Sequence, residues 1–60
     1  MKDMIMGFVN EGTKITIADA RTEMTISKDN ILKVDADKIV IRNNNMISYM
    51  RWDDVEYFKF

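Results

Sequence analysis

Lys14-Ile15-Thr16-Ile17 and Glu23-Met24-Thr25-Ile26-Ser27 decide how this chain folds. Both stretches alternate polar and apolar side chains, the pattern of a strand with one face buried. Composition agrees. Ile, Val and Thr supply 16 of the 60 residues, against one Leu and three Ala. β-branched side chains are crowded in a helix and fit a pleated surface.

Working outward, strands are expected at Met4–Asn10, Thr13–Ala18, Thr22–Ser27, Ile31–Val34, Lys38–Arg42, Met46–Arg51 and Val55–Phe60. Between the first two, Asn10-Glu11-Gly12 reads as a hairpin turn in which Gly12 takes a positive φ. Asp19-Ala20-Arg21 turns without a glycine, and Asn43-Asn44-Asn45 suits a tight hairpin because Asn tolerates the left-handed region. A single 3₁₀ turn is expected within Asp53–Lys59, where Val55 and Phe58 sit three apart. The fold class is therefore all-β: one domain over residues 1–60, with five to seven short antiparallel strands in a meander or a small SH3-like barrel.

A shift of 24 residues lays Lys14-Ile15-Thr16-Ile17 on Lys38-Ile39-Val40-Ile41. Asp19 then falls on Asn43, Ile26 on Met50, Asp29-Asn30-Ile31 on Asp53-Asp54-Val55, and Val34 on Phe58. Identities are few, but turn residues meet turn residues and apolar positions meet apolar positions. An internal duplication and a plain meander of evenly spaced hairpins both account for this.

Sixty residues without Cys, His, Pro or Gln leave no disulfide, no Cys/His metal site and no histidine catalysis. A domain of this size buries only about 60% of the surface its unfolded chain exposes. The core of so small a domain rarely supplies more than roughly 3–5 kcal/mol. That shortage points to a second copy completing the core. The strand expected at Met4–Asn10 makes the same suggestion, because Met4, Met6 and Phe8 would occupy one face and Ile5 and Val9 the other. Met4, Met6 and Phe8 are the candidate self-association residues, in a homo-oligomer with the dimer favoured.

Lys and Arg total 9 and Asp and Glu total 10, a net charge of −1. The charges are evenly mixed along the chain, which weakens a nucleic-acid reading unless strands gather cations on one face. No stretch nears the roughly 18 consecutive apolar residues of a membrane helix. The N-terminal apolar run is broken by Asp3, which does not fit an export signal, and with no Cys a cytoplasmic location is expected. The initial Met reads as the start of a whole small open reading frame. The bias to Ile, Lys and Asn suits an AT-rich bacterial or phage genome.

Aromatic residues are unevenly placed. After Phe8 none occurs until Tyr49, Trp52, Tyr57, Phe58 and Phe60. Trp, Tyr and Arg anchor protein contacts, so Tyr49, Arg51, Trp52 and Tyr57 are the candidate partner-binding residues. The competing reading makes Trp52, Val55 and Phe58 core. The carboxylate pairs Asp35/Asp37 and Asp53/Asp54 lack an EF-hand loop or a third ligand at a telling spacing, and read as solvated turn residues. With two glycines there is no phosphate loop, and Ser27 and Ser48 have no base to activate them. No catalytic residue, cofactor or metal is expected.

The functional expectation is a non-catalytic protein-binding module, working as a homo-oligomer that occludes or regulates a partner protein. An inhibitor encoded by a phage or mobile element is one setting for it. One alternative is a small-barrel single-stranded nucleic-acid-binding protein, with Tyr49, Trp52 or Tyr57 stacking on bases and Arg42, Arg51 and Lys59 meeting phosphates. The other is a structural or assembly subunit.

Overall fold

The computed structural model describes all 60 residues. In chain order the elements are α1 (Lys2–Asn10), β1 (Ile15–Ala18), β2 (Glu23–Ile26), β3 (Ile31–Val34), β4 (Lys38–Asn43), β5 (Met46–Arg51), a 3₁₀ turn (Trp52–Asp54) and β6 (Tyr57–Lys59). The strands form two three-stranded antiparallel sheets, ordered β2-β1-β6 and β3-β4-β5. The fold is mostly β, as the alternating stretches require.

The alternation places the core. In the first sheet Ile15 lies opposite Ile26, and Ile17 lies between Met24 and Phe58. In the second, Ile39 lies opposite Met50. Ile15, Ile17, Ile26, Ile39 and Ile41 are fully buried between the sheets, with Met24, Met50 and Trp52 beside them. The turns follow from single side chains. Asp19 Oδ1 accepts the backbone N–H groups of Arg21 at 2.8 Å and Thr22 at 2.7 Å, which closes β1–β2 without glycine. Asn44 takes φ 56° in the β4–β5 turn, the left-handed conformation Asn tolerates.

Asn30 ties the two sheets together. Its side chain accepts from Ser27 N–H at 2.9 Å, and its amide donates to the Thr25 carbonyl at 2.9 Å and to Asn43 Oδ1 at 3.2 Å. Its backbone carbonyl accepts from Arg42 N–H at 2.9 Å. One residue thus links the end of β2 to the end of β4.

The N-terminal segment corrects the expectation of a strand at Met4–Asn10: it is helix α1. Ile5 and Val9, four apart, share one helical face and are fully buried. Asp3 in the first turn suits the positive end of the helix dipole. Gly12 does have positive φ, at 97°, but it ends a helix rather than turning a hairpin. Gly12 N–H bonds the Val9 carbonyl at 2.9 Å, and Thr13 N–H bonds the Phe8 carbonyl at 3.0 Å. That pair of bonds is the Schellman termination. The apolar strand on which self-association was argued is therefore absent. Successive even positions on a helix lie about 200° apart, so Met6 does not share a face with Met4 and Phe8.

The 24-residue correspondence survives in the architecture. Each half runs as hairpin, turn and third strand: β1-β2 then β3, and β4-β5 then β6. The third strand of each half pairs with the first strand of the other, β3 with β4 and β6 with β1. The buried residues Ile15, Ile17 and Ile26 of the first half correspond to Ile39, Ile41 and Met50 of the second.

Candidate functional site

Pairing that buries one face of each sheet turns the other outward. On the second sheet, register fixes three outer rows: Lys38 beside Arg51, Val40 beside Tyr49, and Arg42 beside Ile47. Lys33 extends the middle row from β3. A bulge between Ile31 and Lys33 leaves both Leu32 and Lys33 exposed. The result is an apolar centre ringed by cations. Ile47 is 62% exposed, Tyr49 65% and Leu32 48%.

The β4–β5 hairpin, residues 38–51, contains Lys38, Arg42 and Arg51 and no carboxylate. This local excess of cations is already present along the sequence, and β3 pairing adds Lys33 to it. Two acidic groups border this face: Asp35, which pairs with Lys33 at 3.7 Å and Lys38 at 3.6 Å, and Glu23, which lines a groove with Ile47 and Tyr49. Hydrogen bonds from the backbone N–H groups of Lys38 and Asp37 hold the Asp35 carboxyl below its ordinary value, and the two lysines add to this. Acidic residues collect elsewhere, in a shallow depression lined by Asp19, Asp53, Asp54 and Glu56 together with Arg21.

The equivalent outer face of the first sheet is different in kind. A 24-residue shift takes Val40 and Tyr49 to Thr16 and Thr25, and Arg42 and Ile47 to Ala18 and Glu23. Thr16 and Thr25 hydroxyls bond each other at 3.2 Å. Glu23 accepts from the Tyr57 hydroxyl at 2.9 Å and pairs with Lys59 at 3.5 Å. Between them Ala18 is nearly completely covered. The bond to Glu23 raises the Tyr57 phenol above its ordinary value. Polar side chains on this face bond one another, whereas on the second face Lys33 and Lys38 share Asp35 and Ile47 and Tyr49 stand exposed.

The four residues singled out for partner contact separate accordingly. Tyr49 and Arg51 lie together on the outer face of the second sheet. Tyr57 lies on the outer face of the first, held to Glu23. Trp52 is 9% exposed, and its indole N–H donates to the Asp35 carbonyl at 3.0 Å. It is core, and the competing reading of it was correct. Of the self-association residues, Met4 is exposed on α1, while Met6 and Phe8 pack against the core. Phe8 also meets the Phe60 ring edge-to-face at 4.9 Å.

Sequence reasoning missed Leu32, Val40, Lys33 and Lys38, did not count Ile47 as a contact residue, and reached Arg42 only as a phosphate-binding candidate. Alternation along 46–51 already put Ile47, Tyr49 and Arg51 on one face. The β4 partners needed the hairpin register, and Leu32 needed the bulge. No group of three or more Asp or Glu side chains is placed to hold a metal. No helix is long and apolar enough to cross a membrane. Comparison with protein families, curated proteins and solved structures finds no match.

Proposed function

We propose that this chain is a non-catalytic protein-binding module, and that the outer face of the second sheet is its binding surface. One observation carries the reading: two structurally equivalent faces of one small molecule have been finished differently. On the first, the polar side chains bond one another in the Thr16–Thr25 pair and the Tyr57–Glu23–Lys59 cluster. The second exposes Leu32, Ile47 and Tyr49 inside a ring of four cations. Folding alone does not require that difference. Large apolar groups in the open, with Tyr and Arg side by side, are the composition of a contact surface. Binding here would occlude or regulate the partner, since the face carries no group arranged for chemistry.

The ring of cations gives the nucleic-acid reading one observation of its own. Lys33, Lys38, Arg42 and Arg51 surround Tyr49, which could stack on a base. Protein binding is favoured because Tyr49 is the only aromatic side chain there. Stacking modules engage successive bases on several rings, and Tyr57 and Trp52 are not available to serve.

The test is a pull-down from host lysate with the purified chain and with an Ile47→Ser/Tyr49→Ser variant of unchanged circular dichroism. The wild type should retain a protein that the variant loses. Equal retention by both would put the contact elsewhere. Retention of nucleic acid alone, falling steeply with salt, would favour the second reading.

A further inference from the structure

The two sheets have four edge strands: β2, β6, β3 and β5. Exposed edges pair with other chains unless something prevents it, and proteins blunt them with bulges, lysines, short lengths or covering groups. Three of these edges are blunted. β3 carries the bulge and Lys33. β6 is three residues long. On β2, the Thr25 carbonyl is taken by the Asn30 amide at 2.9 Å. β5 has none of these devices. It runs six residues in unbroken register with β4, without Pro, Lys or a bulge.

The register also says which backbone groups the β5 edge offers. Trp52 N–H bonds the Asp37 carbonyl at 2.9 Å, making that pair a hydrogen-bonded one. Hydrogen-bonded and non-bonded pairs alternate along an antiparallel ladder. Met50, Ser48 and Met46 therefore bond to β4, while the N–H and C=O groups of Ile47, Tyr49 and Arg51 point to the open side. A groove of about 390 Å³ runs along that side, between Ile47, Ser48 and Tyr49 on β5 and Thr22, Glu23 and Met24 of β2, the Glu23 carboxylate being paired with Lys59 and the Tyr57 hydroxyl.

From this edge and the cations beside it we infer that β5 binds an extended segment of the partner as an added strand. The segment carries acidic residues flanking an apolar one, at every second position. This rests on the protein-binding reading above and names its partner's chemistry. The added strand continues the three outer rows. Its middle outward residue lies beside Tyr49, with Val40 next and Lys33 at the far end of the row, and so is apolar. The residue on one side lies beside Arg51, with Lys38 behind it, and the residue on the other lies beside Ile47, with Arg42 behind it; a carboxylate meets Arg51 directly in the first case and reaches Arg42 across Ile47 in the second, so both are acidic. Main-chain bonds to Ile47, Tyr49 and Arg51 supply affinity, and the cations select the sequence. The same cations disfavour a second copy of β5, which would bring another carboxylate-free hairpin alongside.

The experiment is amide hydrogen exchange by NMR on the full chain, with the blocked peptide Thr-Glu-Thr-Val-Thr-Glu-Thr as probe. At peptide ten times its Kd, exchange at Ile47, Tyr49 and Arg51 should slow about tenfold. Met46, Ser48 and Met50, already bonded to β4, should change little. The same peptide with N-methylated backbone amides should not bind, and Arg51→Glu should shift preference toward the Lys-for-Glu peptide. If the N-methylated peptide binds equally well, contact is through side chains, and the added strand is wrong while the binding face stands. The absence of peptide binding, with partner capture still dependent on Ile47 and Tyr49, leads to the same conclusion. Protection of the three amides by oligothymidine in place of the peptide overturns the inference. So does protection that rises with protein concentration alone.

Discussion

Gly7 and Gly12 test the N-terminal structure residue by residue. Gly7 sits inside α1, and a Cβ there would meet nothing within 4 Å. Gly7→Ala should raise stability by roughly 0.5–1 kcal/mol, because glycine inside a helix costs about that much. Gly12, at φ +97°, should respond with the opposite sign to Gly12→Ala, which forces a Cβ into the left-handed region. Chemical denaturation of both variants checks the pair. Trp52→Phe tests the core assignment. It removes the indole bond to the Asp35 carbonyl and should cost roughly 1–3 kcal/mol without changing partner capture.

Asp19 and Asp35 govern the response to acid. Hydrogen bonds from backbone N–H groups, those of Arg21 and Lys38 foremost, hold each carboxyl below its ordinary value of 3.8. A carboxyl with a depressed folded value contributes stability that is complete above its unfolded value. That contribution is lost as pH falls through the lower folded one. The thermal midpoint should therefore hold above about pH 4 and fall below it. Asp19→Asn with Asp35→Asn keeps the turn acceptors and removes the titration, so its midpoint should fall less steeply over the same range.

At the scale of elements, strands β1, β2, β4 and β5 were legible because period-two alternation and turn chemistry agree there. The 3₁₀ turn was legible in kind, and it falls at Trp52–Asp54, just ahead of Val55. Helix α1 was not. Its nine residues carry two periods at once, Met4, Met6 and Phe8 two apart and Ile5 and Val9 four apart. The deciding clue was Gly12, placed where a glycine ends a helix. Ile5→Ala should cost about 2–5 kcal/mol, the range for emptying a buried site. The same substitution at Met4, exposed on the helix, should stay within about 0.5 kcal/mol.

The candidate contact set shows the same mixture. Tyr49 and Arg51 share a face by simple alternation, and that alternation also turns Trp52 inward. Tyr57 could not be assigned without knowing that β6 crosses to β1. The apolar centre and its cations belong to three strands, and only their pairing brings them together.

For the whole molecule, the two halves supply equivalent strands and equivalent core positions, and the sheets differ on their outer faces. On one face polar side chains bond one another, and the other exposes aliphatic, aromatic and cationic groups. If the second face meets the partner, as we propose, photo-crosslinking will show it, with p-benzoylphenylalanine placed at Tyr49 in one sample and at Tyr57 in another. A protein adduct is expected from position 49 and none from position 57. An adduct from position 57 alone would contradict the proposal.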